Sequence, residues 1–279
     1  MHFVLYIIYS AIILLTLCGS STAAVAEKLD LPPSVPVPSV QGEALSLPAP
    51  DIEQKKKPAP PSIIPIVGDS EGVVVLELFS TPACPFCPKA DALMKEFAGK
   101  KGIIALSCHV DYFDVKAGSL SLPICSSRQS MYERSLDRGP KYTPQMVLNG
   151  REDAIGYLMP EINEALARVS KHKALELNII NTGRGIFLIN LPAYEEGEYA
   201  VWLFPYYAMK SIEITDGANS GKTIEYYNLV ASAGFLGNWD GRIKILKFDP
   251  KLTEDVQSFA LIVQDKTTSH IIVAAQFEQ

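Results

Sequence analysis

Two cysteines separated by two residues, Cys84 and Cys87, lie between a short apolar run and an amphipathic segment, and no other feature of the chain restricts its fold as strongly. The run VVVLELF, residues 73–79, is rich in β-branched and apolar side chains and too short for a helix, which suits a buried strand. Pro85 follows Cys84 at a position compatible with a first helical turn, and Ala90, Leu93, Met94 and Phe97 then recur at helical spacing before Gly99. The pair is therefore expected in a strand-to-helix turn, with Cys84 at a helix N-terminus. Backbone N–H groups and the helix dipole favour a thiolate there, which makes Cys84 the attacking sulfur and Cys87, one turn later, the resolving one.

Two other chemistries use the same spacing. Two thiolates are half of a zinc or copper site, with Cys108 and His109 as the available further ligands, and two cysteines also make a permanent structural bridge. None of the three readings requires an organic cofactor.

Around the pair, GIIALSCHV (residues 102–110) reads as a second buried strand and the polar stretch 126–138 as a helix. A third strand over 144–148 turns at Asn149-Gly150 into a short fourth, before a helix over 160–171. This β-α-β-α-β-β-α order implies a partly parallel sheet flanked by helices. Arg128, Gln129 and Arg134 are expected on the solvated side of the polar helix, and His109 and Asp111 at the working edge of the second strand. Beyond residue 173 the pattern changes to LELNII, GIFLINL, YAVWLF, KSIEI, TIEYYNLV, RIKILKF, FALIVQ and HIIVAAQF, divided by Gly, Asn, Asp and Pro. Short strands at this interval predict a separate all-β, sandwich-like domain over 173–279.

The first 26 residues carry an apolar run from Phe3 to Leu17 and an Ala24-Val25-Ala26 pattern, which reads as a secretory signal peptide cleaved after Ala26; an uncleaved membrane anchor is the alternative. A periplasmic or secreted location follows, where disulfides form and persist. Residues 27–72 hold half of the 20 prolines and the run Lys55-Lys56-Lys57, the composition of a disordered spacer. Removal of Cys18 with the signal leaves four cysteines, so Cys108 and Cys125 are candidates for a second disulfide or are a buried strand thiol and a loop thiol. The net charge of −6 and the scattered Lys and Arg residues exclude a phosphate-binding stripe, hence a nucleic-acid partner.

The stretches ELFSTPACPFCPKAD, HVDYFD, SSRQSMYER and YTPQMVLNG, in that order, together with ITDGANSGKTIEYYNLVASAGFLGNWDG, resemble a bacterial family of exported, functionally uncharacterised thioredoxin-like proteins. The resemblance runs from about Val73 to the end of the chain. It implies an α/β thioredoxin-like domain over 73–171, followed by the all-β domain. It also implies a cis-proline at Pro144 beside the redox pair, with backbone groups of Thr143 available to an extended substrate. In thioredoxin-like proteins a buried acid near the position of Glu77 relays a proton to the resolving cysteine, which nominates Glu77. The expected activity is that of an exported thiol-disulfide oxidoreductase acting on protein thiols and disulfides through Cys84 and Cys87.

Overall fold

The computed structural model describes residues 72–113, 120–177, 179–183, 185–250, 255–256 and 258–278. The signal-peptide and spacer readings concern residues outside this set. The first half contains β1 (Val74–Ser80), α1 (Cys87–Phe97), β2 (Ile103–His109), α2 (Pro123–Leu136), β3 (Gln145–Leu148), β4 (Glu152–Ile155) and α3 (Met159–Val169), in the order read from the sequence. The second half is built of β5 (Leu175–Glu176), β6 (Ile179–Asn181), β7 (Phe187–Leu191), β8 (Tyr199–Glu213), β9 (Thr223–Val230), β10 (Gly234–Trp239), β11 (Lys244–Phe248), β12 (Ser258–Asp265) and β13 (Ile271–Glu278).

The pairing of these strands overturns the expected fold class. There is no thioredoxin-like α/β domain followed by an independent β-sandwich-like domain. Instead one ten-stranded mixed sheet runs β4-β3-β1-β2-β9-β8-β12-β13-β5, with β10 added on β8. The junction is β2 with β9, parallel through Ser107 and Leu229. Ser107 Oγ donates to the Tyr227 carbonyl (2.9 Å) and Asn228 Nδ2 to the Ala105 carbonyl (2.9 Å). YAVWLF and KSIEI, read as two strands, are one fifteen-residue strand, β8, long enough to pair with β9, β10 and β12.

The large sheet is strongly curled. Arg128 on α2 reaches Glu77 on β1 and Gln264 on β12, at 2.8 and 3.2 Å. Those strands are four places apart in the sheet, about 19 Å if it were flat, so one guanidinium can bridge them only where the sheet folds back on itself. The curl returns to its start, because Val73 and Ala174 exchange backbone hydrogen bonds at 2.9 and 2.8 Å just ahead of β1 and β5. Inside it, Phe79, Ile104, Leu106, Phe204, Tyr206 and Ile262 form one core with Tyr132 of α2. Successive strand residues face opposite sides, so Leu76 and Leu78 pack outward against Ala90 and Met94 of α1 and Ile162 of α3. A three-stranded sheet, β11-β7-β6, covers the far end, where Phe187 and Ile189 pack on Leu203, Phe259 and Leu261.

Candidate functional site

Chain direction and turn chemistry place the cysteines. After β1 ends at Ser80, the Cys84 N–H donates to the Thr81 carbonyl (3.2 Å) and the Cys87 N–H to the Cys84 carbonyl (3.3 Å), a tight turn that leads into α1. The helix begins at Cys87 with a proline in its first turn, so Cys84 sits one turn ahead of the helix. Both cysteines are thiols; Cys84 is 6% exposed and Cys87 fully buried. Reaction with another protein would therefore begin at Cys84.

Each sulfur has its own polar contact. The Cys84 thiol donates to the Thr143 carbonyl at 3.5 Å, and the Thr143–Pro144 peptide is cis. Cys87 Sγ accepts from the Thr81 N–H at 3.4 Å. Of the residues nominated from sequence, Cys84, Cys87, Thr143 and Pro144 thus converge.

Glu77 does not join them. It points to the inner side of the sheet, where Arg128 Nε and Nη2 donate to its two carboxylate oxygens at 2.8 and 2.9 Å and the Tyr132 hydroxyl makes a further short bond. Arg128 and Gln129, expected on a solvated face, are both buried. Gln129 Nε2 instead donates to the Tyr142 carbonyl (2.7 Å), next to Thr143.

The acid beside the pair is Asp91. It lies four residues after Cys87 on α1, hence on the same helix face, and is fully buried. Ser80 Oγ donates to its Oδ1 at 2.7 Å, while Oδ2 has no hydrogen-bond partner. Burial raises the Asp91 carboxyl to about 7. Burial, and after it the Asp91 charge, pushes the Cys87 thiol far above the ordinary thiol range. His109, paired with Ser80 across β1 and β2, has neither ring nitrogen hydrogen-bonded, and burial lowers it to about 3. Its ring meets Tyr226 of β9 edge-on at 4.5 Å. Nothing in the local pattern KADALMKEF marks Asp91 except its offset of four from Cys87.

The second half of the chain supplies part of the site. Asn219, in the loop between β8 and β9, is fully buried and its Nδ2 donates to the carbonyls of Pro82 (2.7 Å) and Cys84 (2.9 Å). Gly217 in the same loop has φ +79°, and a Cβ there would stand 3.3 Å from the Ala83 Cα. In sequence Asp216-Gly217 carries the signal of a turn, and nothing in the local pattern marks Asn219. Phe86, Tyr112 and Phe113 are 51%, 40% and 42% exposed, and the Phe86 ring stacks on Tyr157.

Cys108 and Cys125 form a disulfide between β2 and α2. Among the described residues no group of three or more His, Cys, Asp or Glu side chains is gathered to hold a metal ion, so the zinc or copper reading lacks a ligand set there.

Short and long similarities bear on this site differently. A protein described as "Probable Thioredoxin" from Archaeoglobus fulgidus is 36% identical over 39 residues, 14% of this chain and 43% of its own length. The match thus spans less than half of that relative. A crystal structure of a structural-genomics protein from Agrobacterium tumefaciens superposes with a TM-score of 0.64 at 24% identity, covering 74% of this chain and 95% of that one, and shows that the fold recurs in a second protein. Residues 75–264, from β1 to β12 and so including both the cysteine turn and the loop that carries Asn219, match the family described as Protein of unknown function (DUF1223), and the chain belongs to that family.

Proposed function

We propose that the protein exchanges thiols and disulfides with other polypeptides through Cys84 and Cys87. The observation that carries this reading is the division of labour between the two sulfurs. Cys84 borders solvent beside the Thr143 carbonyl, while Cys87 lies behind it with a buried acid one turn away. The short similarity to a probable thioredoxin spans 39 residues and supports the same chemistry.

In the reducing direction, Cys84 as thiolate attacks a substrate disulfide. One substrate sulfur leaves as a thiolate and takes up a proton, and the other forms a mixed disulfide with Cys84. Cys87 loses its proton and attacks the Cys84 sulfur. The second substrate thiol is released and the Cys84–Cys87 disulfide forms, so two electrons pass from protein to substrate. The reverse sequence oxidises a substrate dithiol. Asp91 accepts the Cys87 proton, since a carboxyl raised to about 7 is half ionised near neutral pH. The exposed rings of Phe86, Tyr112 and Phe113 offer apolar contact to a polypeptide.

The proposed location is extracytoplasmic. The apolar segment 3–17 with its Ala24-Val25-Ala26 pattern supports export, and the Cys108–Cys125 disulfide suits an oxidising compartment.

Equilibration of the purified protein in glutathione buffers, followed by thiol trapping with Cys84→Ser as control, tests the reading. A reversible potential above about −300 mV is the expected result. A pair that remains oxidised at much lower potential is a structural bridge, and the proposal then fails.

A further inference from the structure

Asn219 is 135 residues from Cys84 in sequence, yet its side chain makes three hydrogen bonds, two of them to the cysteine turn. Both Nδ2 hydrogens are used on the Pro82 and Cys84 carbonyls, and Oδ1 accepts from the Lys222 ammonium at 2.9 Å. The partner types fix the amide's orientation, because two carbonyls can only accept and an ammonium can only donate. The loop is built to deliver it. Gly221 N–H donates to the Ile214 carbonyl (2.7 Å), Ser220 N–H to Gly217 (3.1 Å) and Lys222 N–H to Asn219 (3.1 Å), which closes a compact turn with Gly217 pressed on Ala83.

A surface turn that only joined β8 to β9 would not need a fully buried amide aimed into another loop. From this we infer that Asn219, polarised by Lys222, is a positioning residue of the redox site, fixing the Cys84 turn and setting the reduction potential of the Cys84–Cys87 pair. The inference rests on the thiol-disulfide reading. Its physical basis is electrostatic as well as steric. Without the amide the Pro82 carbonyl would present an uncompensated negative end, and the Cys84 carbonyl would be covered by the Cys87 N–H alone, in the turn that holds the sulfur that must carry negative charge. The amide hydrogens cover those oxygens, and the Lys222 charge strengthens the amide as a donor. The reduced, thiolate-bearing form is favoured, and a stabilised reduced form makes the pair a stronger oxidant.

The test compares the full-length mature protein with Asn219→Ala and Lys222→Met in glutathione buffers. Lys222→Met keeps the aliphatic stem and leaves both amide donors in place, so it isolates the charge and guards against failure of Asn219→Ala to fold. The Asn219→Ala potential is expected to fall by about 30 mV, the equivalent of a tenfold change in the equilibrium constant, and Lys222→Met to fall in the same direction by less. In a buffer acidic enough to keep the thiol mostly protonated, attack on a small aromatic disulfide should slow about three- to fourfold in Asn219→Ala, because a tenfold loss of thiolate is partly offset by the greater nucleophilicity of a more basic sulfur. A purely structural role would lower the melting temperature and leave the potential of the folded protein where it was. A normal, reversible wild-type potential with both variants unmoved overturns the inference alone. A wild-type pair that never equilibrates with glutathione overturns the underlying reading and the inference with it.

Discussion

Asp91 has two effects that point in opposite directions. Its carboxyl rises from 3.8 to about 7 on burial, so the folded protein holds a proton that the unfolded chain has released. Stability is therefore lost as pH rises through that window, by up to about 4 kcal/mol once the group is ionised. Asp91→Asn, which can still accept from Ser80, should unfold at higher urea concentration than the wild type at pH 8 and at a similar concentration near pH 4. The same variant should resolve mixed disulfides more slowly and lose the rise in resolution rate centred near pH 7, as followed by release of a substrate thiol from a trapped mixed disulfide. A stabilised, slower protein is the expected exchange between stability and activity at a strained site. His109 contributes with the opposite sign. Its folded value near 3 lies below the ordinary 6.5, so its contribution is complete above about 6.5 and declines as the medium is acidified toward 3. At this scale the cysteines were legible because a two-residue spacing between a strand and a helix is a strong local pattern. Asp91 was not, because one acid in an amphipathic helix carries no mark of burial. Glu77 is nominated by its place in the resemblance, and its actual partner, Arg128, lies 51 residues away on a helix with no apolar stripe.

The helix α2 illustrates how an element can be placed correctly along the chain and wrongly in space. Its polar sequence predicts a helix with a solvated face, and a helix is what forms. What could not be read is that four of its residues, Cys125, Arg128, Gln129 and Tyr132, turn inward and meet the polar and apolar lining of the curled sheet. Arg128 is the anchor. Arg128→Ala leaves the Glu77 carboxylate buried and unpaired, a change expected to cost about 3–5 kcal/mol in urea unfolding. The double variant Glu77→Leu with Arg128→Met should recover most of that loss, because an apolar pair of similar volume avoids the desolvation of both charges. The Cys108–Cys125 bridge acts on the same helix from its N-terminal end. It closes a loop of 17 residues, so Cys108→Ala with Cys125→Ala should lower stability by about 3 kcal/mol, read from the midpoint of chemical unfolding under non-reducing conditions.

At the scale of the whole molecule, the change of periodicity near residue 173 was legible, and so was the strand content that follows it. Pairing partners were not. The join between β2 and β9 brings together residues more than a hundred positions apart, and neither strand carries a local signal of its neighbour. A shift in pattern that normally marks a domain boundary here marks only a change from helix-bearing to strand-only connections within one core. A fragment ending at residue 171 should therefore lack a cooperative thermal transition, since it would expose β2 along its free edge and leave α2 without β8 and β12. Circular dichroism of such a fragment, showing either a broad or a sharp melt, decides the point. The tie between Asn219 and the Cys84 turn has a consequence in time. A ribosome extends the chain from the N-terminus at about 5–20 residues per second, so the cysteine motif exists for about ten seconds before the amide that holds it has been made. From the completion of Cys125 until Asn219 is made, the chain carries all four thiols of its folded part without the architecture that assigns them, and correct pairing of Cys108 with Cys125 must be won against Cys84 and Cys87 as competitors.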